Sequence, residues 1–360
     1  MKNNEKKEAE YLRIYKELRE KIVKGVFSYG EKIPSKRIIA EEFDVSIITI
    51  EHAYGLLCEE GYIEGRERSG YYVIFKIEDG FEYPVEEVEF QRWTGEEEKS
   101  LMEFPISVMT KTMRNVISDL KDQIFLPSPG KGDRQLRQAL KKYLARNRGI
   151  LVDMDQIIIG AGSEYLYRLI PDLIGKDKVF GIETPSYEKI EQCYHNLGVK
   201  IEKIPMTKEG MDSNYLKKSI AKILHVSPYR SYPTGITATA SKKYEYVRWA
   251  ENQDRYLLED DFESEFSLSK KMEETLFSLS AKENVIYMNT FSRTISPSLR
   301  VGYMVLPKIL SKKYDEMLDF YSCPVPTYIQ LTVARLIENG DFERHINRIR
   351  RKKRKENKFK

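Results

Sequence analysis

Residues 32–73 read KIPSKRIIAEEFDVSIITIEHAYGLLCEEGYIEGRERSGYYV, and this stretch decides the first fold. Ser35, directly after Pro34, and Ser46, directly before an apolar periodic run, are each placed to cap a helix. The helix after Ser35 is expected to bury Ile38, Ile39 and Phe43. Asp44-Val45-Ser46 makes a turn, and the next helix turns Ile50, Ala53, Tyr54 and Leu57 inward until Gly61 ends it. Tyr62-Ile63 and Tyr71-Tyr72-Val73 then read as two short strands around Arg66, Arg68, Ser69 and Gly70. Upstream, Tyr11 to Gly25 is a further helix with Tyr11, Tyr15, Leu18 and Ile22 on one face and Gly25 just past its C-cap.

Three helices followed by a cationic hairpin have a direct physical use as a winged helix-turn-helix. The third helix fits the major groove of double-stranded DNA with its first residues at base edges, and the hairpin reaches phosphates or the adjacent minor groove. The residues so placed are Ser35, Arg37, Ser46, Ile47, Thr49, His52, Arg66, Arg68 and Gly70. The spacing of Lys32 to Arg37, Val45-Ser46-x-x-Thr49, Ala53-Tyr54, Glu60-Gly61 and Arg68 to Val73 closely resembles the GntR-type winged helix. That family often carries a polar or basic residue after the cap serine. Here it is Ile47, which removes a basic anchor and leaves apolar contact to a thymine methyl.

Net charge misleads if read globally. The chain of 360 residues carries a formal +4, yet residues 341–360 alone hold ten Lys/Arg against three Asp/Glu, and residues 1–76 hold fourteen of each. DNA affinity in the N-terminal module must therefore come from where its cations sit. The basic terminal run reads first as a solvated helix end and second as an auxiliary, nonspecific attraction to DNA. Residues 77–99 hold nine acidic residues and two basic ones, an acidic linker with aromatics at Phe81, Tyr83, Phe90 and Trp93. The expected division is residues 1–76, linker 77–99 and a second domain 100–360.

Composition is that of a globular chain, 41% hydrophobic and 32% charged, with no apolar run near the roughly 18 residues of a membrane helix. Three scattered cysteines, Cys58, Cys193 and Cys323, and four histidines give no disulfide or metal pattern and suit a cytoplasmic setting. From about residue 100, helical stretches alternate with short β-branched runs at 156–159, 178–182, 222–226 and 285–288. That alternation reads as an α/β domain with a mainly parallel sheet.

Several segments of this second domain converge on one resemblance. They are Lys131-Gly132-Asp133 with Leu136-Arg137, Gly160-Ala161-Gly162-Ser163 at a helix start, and Glu183 to Tyr187 after a buried strand. Tyr232 to Gly235 follow in a turn, then Glu259 to Phe266, Thr290 to Thr294 and Leu299 to Tyr303. Together they resemble a fold-type I aminotransferase, a three-layer α/β domain that uses pyridoxal phosphate. Joined to the GntR-type head, the whole chain resembles the MocR subfamily of regulators. The resemblance implies a cofactor site of Gly162, Ser163, Tyr187, Asp260, Phe262, Thr290, Arg293 and Arg300. Within it Gly162-Ser163, Thr290 and Arg300 face the phosphate, Tyr187 stacks on the ring, and Asp260 meets the pyridinium nitrogen.

The pattern then breaks. The family's Schiff-base lysine falls on Arg293, and a guanidinium stays protonated and cannot form the imine. Phe262 replaces a tyrosine, and Glu164 puts a carboxylate where a neutral amide is usual. Pyridoxal phosphate held here would be held non-covalently, and no residue of the set is expected to be catalytic. The resemblance further implies a homodimer and a small-molecule effector, and a small C-terminal domain after the helix at about Phe342, most of which this chain is expected to lack. Three readings stay open: a regulator with a sensing or dimerising aminotransferase-like body, an aminotransferase using another lysine such as Lys270 or Lys282, and a shortened product without activity.

Overall fold

The computed structural model describes residues 9–76, 104–251, 255–269 and 273–356. The chain divides into two compact units, Met1–Trp93 and Thr94–Lys360. The acidic stretch and Lys270 lie outside the described residues.

In the first unit α1 (Glu10–Val23), α2 (Lys36–Glu42) and α3 (Ile47–Glu59) precede the hairpin β1 (Ile63–Arg66) and β2 (Gly70–Val73). Both serine caps form: Ser35 Oγ accepts from the Ile38 amide at 3.4 Å, and Ser46 Oγ accepts from the Thr49 amide at 3.2 Å. The core gathers Ile14, Tyr15, Leu18 and Ile22 of α1 with Ile39, Ala40, Ile50, Ala53, Tyr54 and Leu57. The fully buried Tyr54 hydroxyl donates to the Pro34 carbonyl at 2.6 Å, pinning α3 to the start of α2. Three core assignments change. Ile38 is 56% exposed, because residue 38 falls on the outer side of so short a helix and Ala40 takes its place inside. Tyr11 and Phe43 are half-buried at the rim, and Ile14 fills the α1 face instead.

The second unit continues with α4 (Ile106–Leu120), α5 (Arg134–Arg148), β3 (Ile157–Gly160), α6 (Ser163–Ile174), β4 (Val179–Thr184) and α7 (Glu188–Asn196). Next come β5 (Lys200–Thr207), β6 (Gly210–Met211), α8 (Ser213–Lys218), β7 (Ile223–Val226), α9 (Ala240–Glu251), β8 (Tyr256–Asp260) and α10 (Leu276–Leu279). The last elements are β9 (Val285–Thr290), β10 (Gly302–Val305), α11 (Lys308–Met317), α12 (Thr327–Glu338) and α13 (Asp341–Glu356). The sheet runs β3-β10-β9-β8-β7-β4-β5-β6. Its centre, from β9 through β5, is parallel; β10 is antiparallel to both neighbours and β6 folds back on β5. Strands β3, β7, β9 and β10 are buried along their whole length, as a sheet covered on both faces requires. One covering layer includes α5, α12 and α13, and the other includes α6, α7 and α11.

Register places the site. Gly302 pairs with both Gly160 and Thr290, and Asp260 pairs with Met288. The ends of β3, β4, β7, β8 and β9 therefore share one edge of the sheet, where open α/β folds form their ligand crevice.

Candidate nucleic-acid interface and ligand crevice

In the first unit the nine DNA-facing candidates fall on the caps, the start of α3 and the hairpin tip. Ser35 and Ser46 are spent as caps, and Thr49 Oγ1 lies 2.9 Å from Ser46 Oγ. Arg37, Ile47 and His52 are exposed, with His52 edge-on to Tyr11 at 5.8 Å. The two wing arginines differ. Arg66 is paired with Glu64 at 2.7 Å and lies over the Tyr72 ring at 4.3 Å. Arg68 stands at the turn with φ 57° and has no ion-pair partner among the described residues. Gly70 adopts φ +114°, and a Cβ there would meet the Lys32 side chain at 2.8 Å. Arg68→Ala is expected to weaken DNA binding about equally for all sequences and to flatten the slope of log affinity against log salt by about 0.9. Titrations at several salt concentrations measure both, and an unchanged slope would remove Arg68 from the interface.

In the second unit the shared sheet edge brings together residues spread from position 160 to 300. Gly162 caps α6 with φ 85°, and a Cβ on it would sit 2.9 Å from Arg300 Nη2, so glycine leaves the room this guanidinium occupies. Arg300 Nη2 donates to the Ala161 carbonyl at 3.2 Å and to Glu164 Oε2 at 3.0 Å. Glu164 is thus not a bare charge beside the helix start. Its other oxygen lies 2.5 Å from Lys189 Nζ, and the Lys189 hydrogen bond, then its charge and that of Arg300, hold the carboxyl below its usual range. Lys189, on the first turn of α7, is a cation of this crevice that neither periodicity nor resemblance singled out.

Asp260 ends β8 and is only 4% exposed. Its Oδ2 accepts from Tyr167 at 2.5 Å and lies 3.4 Å from His225 Nε2, while His225 Nδ1 meets Tyr194 at 2.9 Å. Burial pushes both phenols well above their ordinary range, so Tyr167 stays a donor. Asp260 Oδ1 has no hydrogen-bond partner among the described residues. Thr290 is buried at the end of β9, and Phe262 is half-buried beside Asp261. Tyr187 stands at the N-cap position of α7 without a side-chain cap bond, exposed, with its ring edge-on to Tyr232 at 5.9 Å. Arg293 turns its Nη2 to Glu263 Oε1 at 3.2 Å, and its buried Nε has no partner among the described residues. The same Glu263 oxygen is 3.5 Å from Arg230 and 4.0 Å from Lys353.

The loop after β8 is anchored from beneath. Arg148, the last residue of α5, pairs with Asp261 at 3.0 Å and Glu265 at 3.4 Å and also bonds the Ser264 hydroxyl. The basic run of α13 is likewise more than a solvated end. Arg350 donates to the Glu265 carbonyl at 2.6 Å, and Lys353 lies over Phe266 at 4.6 Å, because that loop offers carbonyls and an aromatic face along one side of the helix. Lys282, the alternative lysine that is described, precedes β9 and donates to the Glu251 carbonyl at 2.6 Å. It stands at the opposite end of a strand about 17 Å long from Thr290. Within one chain this keeps it away from Thr290.

Residues 10–73 match the family model for bacterial regulatory proteins of the gntR family, and residues 98–359 match that for class I and II aminotransferases. Over 358 residues the chain is 31% identical to the HTH-type transcriptional regulator YdeL of Bacillus subtilis, covering 96% of this chain and 77% of that one. The chain belongs to the MocR subfamily of GntR-type transcription regulators. The probable rhizopine catabolism regulatory protein MocR of Rhizobium meliloti is 23% identical over 94% of this regulator and 73% of its own length. The pyridoxine biosynthesis regulator PdxR of Corynebacterium glutamicum is 25% identical over 93% and 74%. Among solved structures, kynurenine aminotransferase of Pyrococcus horikoshii superposes with a TM-score of 0.63 at 25% identity. That match covers 69% of this regulator and 64% of the enzyme. This MocR-type chain is a DNA-binding transcription regulator with an aminotransferase-like domain, and no helix among its described residues is long and apolar enough to cross a membrane.

Proposed function

We propose that the aminotransferase-like unit is a ligand-binding sensor and dimerisation body that holds pyridoxal phosphate without a covalent bond and without turnover. The observation that carries this reading is the free Oδ1 of Asp260. A buried carboxylate oxygen without a partner is costly, and a protonated ring nitrogen is the partner it fits. At the other end of the crevice, the backbone amides at Gly162-Ser163 with Thr290 and Arg300 suit a phosphate, and Lys189 adds a cation. Tyr187 offers a ring face, and Phe262 flanks the site without a hydroxyl to offer. When bound, the cofactor supplies an electron-withdrawing ring and an aldehyde. Arg293 has no neutral amine to meet that aldehyde, and its guanidinium is already engaged by Glu263.

A phosphate must also share Arg300 and Lys189 with Glu164, which makes the site a modest binder. Ligand would bias two arrangements of a homodimer that reads a two-fold operator. The setting proposed is the cytoplasm. The test titrates the full chain with pyridoxal phosphate, follows the visible spectrum, reduces with borohydride, and repeats DNA binding with and without ligand. Saturable binding, no adduct on any lysine, and a shift of operator affinity in the common range of about 5–150-fold are expected. A lysine adduct with an amino-acid-dependent spectrum would establish the aminotransferase reading instead, and no binding would remove the sensor.

A further inference from the structure

At the tip of α3 the polar groups are already committed to one another. The Ser46 and Thr49 hydroxyls face each other at 2.9 Å, and Ser46 Oγ also holds the Thr49 amide. Glu51 Oε1 accepts from Lys36 Nζ at 2.6 Å, and Lys36 lies 5.4 Å from the centre of the Tyr71 ring. What the first turn leaves pointing outward is hydrocarbon: Ile47 is 48% exposed and Ile48 64%. Two turns further along the face of Ile48, Gly55 sits inside the helix with nothing within 4 Å of the Cβ it lacks. Glycine there costs the helix about 1 kcal/mol relative to alanine. No neighbour among the described residues demands it, and it leaves room for a close approach from outside.

In the major groove the C5-methyl of thymine is the one apolar feature among donors and acceptors. An isoleucine laid over any other base edge strips water from polar groups and returns no hydrogen bond, which penalises those bases as much as it favours thymine. We propose that Ile47 and Ile48 read thymine methyl groups, so that the operator carries thymine beneath the tip of α3 and owes its specificity there to methyl contact rather than to hydrogen bonds. This inference rests on the winged helix alone and is independent of any ligand in the second unit.

The experiment selects duplexes from a random pool with the full chain, then replaces each thymine of the selected site, one at a time, by deoxyuridine. That exchange deletes a single methyl and keeps every hydrogen-bonding group. At one or two positions affinity is expected to fall about fourfold per methyl. The double variant Ile47→Ala, Ile48→Ala is expected to bind the thymine and uracil duplexes equally. Because the comparison is a ratio measured on one protein preparation, a lower folded fraction in the variant cancels. Equal binding of every uracil duplex by the unsubstituted protein would overturn the proposal. So would a thymine preference that survives in the double variant, or selected sites without thymine.

Discussion

Arg148→Met is expected to destabilise the aminotransferase-like unit by about 3–5 kcal/mol, a large share of the roughly 5–15 kcal/mol that holds a domain folded. The side chain is 3% exposed and carries the positive charge between Asp261 and Glu265, both buried. Tyr287 and Asn289 donate to the same two carboxylates, at 2.8 and 2.7 Å, but neither can neutralise them. Without the guanidinium, two like charges remain in a low-dielectric interior, and the unit must protonate them or open.

The sign of the pH dependence follows. Burial already pushes the Glu265 carboxyl up, and Arg148 is the strongest influence pulling it down. In the variant the Glu265 carboxyl, already pushed up by burial, would lose the charge that pulls it down and hold a proton that the unfolded chain has lost. Its contribution to stability is then present at low pH and lost as pH rises through the folded value. Urea denaturation should show a small loss near pH 5 and the full loss near pH 8. Adding Asp261→Asn and Glu265→Gln should recover most of it. A loss equal at both pH values and not recovered would mean that packing, not charge, is what Arg148 provides.

How much of this was legible in the sequence depends on how far apart the interacting residues lie. The winged helix was readable because its signals are local: Ser35 and Ser46 precede the turns they cap, and Ile50, Ala53, Tyr54 and Leu57 repeat at helical spacing. Ile38 was misread because α2 is only seven residues long and turns Ile39 and Ala40 inward, which leaves Ile38 on the outer side. In the second unit the β-branched runs located β3, β4, β7 and β9 to within a residue or two, while the buried β10 lay outside them. The crevice set was reachable only through resemblance, since register alone unites Gly160, Thr290 and Gly302. Arg148, Lys189 and Glu263 escaped notice because each meets its partner across a separation without periodicity: Ser264 for Arg148, Glu164 for Lys189, Arg293 for Glu263. The basic run of α13 is largely solvated, as its charge suggests, but the contacts of Arg350 and Lys353 were missed for a related reason. Charge density marks solvation only when nothing folds back against it, and the loop after β8 does.

Arg293→Lys is the second large change expected, from no covalent attachment of pyridoxal phosphate to a stoichiometric one at position 293. The substitution restores a primary amine at the one place where the resemblance puts it, on the loop directly after β9. Whether that amine reacts depends on its proton. Glu263, 3.2 Å from the present guanidinium, favours the charged form. Arg230 at 3.5 Å and Lys353 at 4.0 Å from the same carboxylate oxygen offset it, and partial burial adds to their effect. Attachment should therefore be slow near neutral pH and faster as pH rises toward the lysine's titration. Borohydride reduction followed by peptide mass measurement reads it directly. The unsubstituted protein should stay unmodified under the same treatment while still binding the cofactor reversibly. A variant that binds the cofactor yet remains unmodified at high pH would show that position 293 is not aimed at the aldehyde. The broken pattern would then owe more to the placement of the loop than to the loss of its amine.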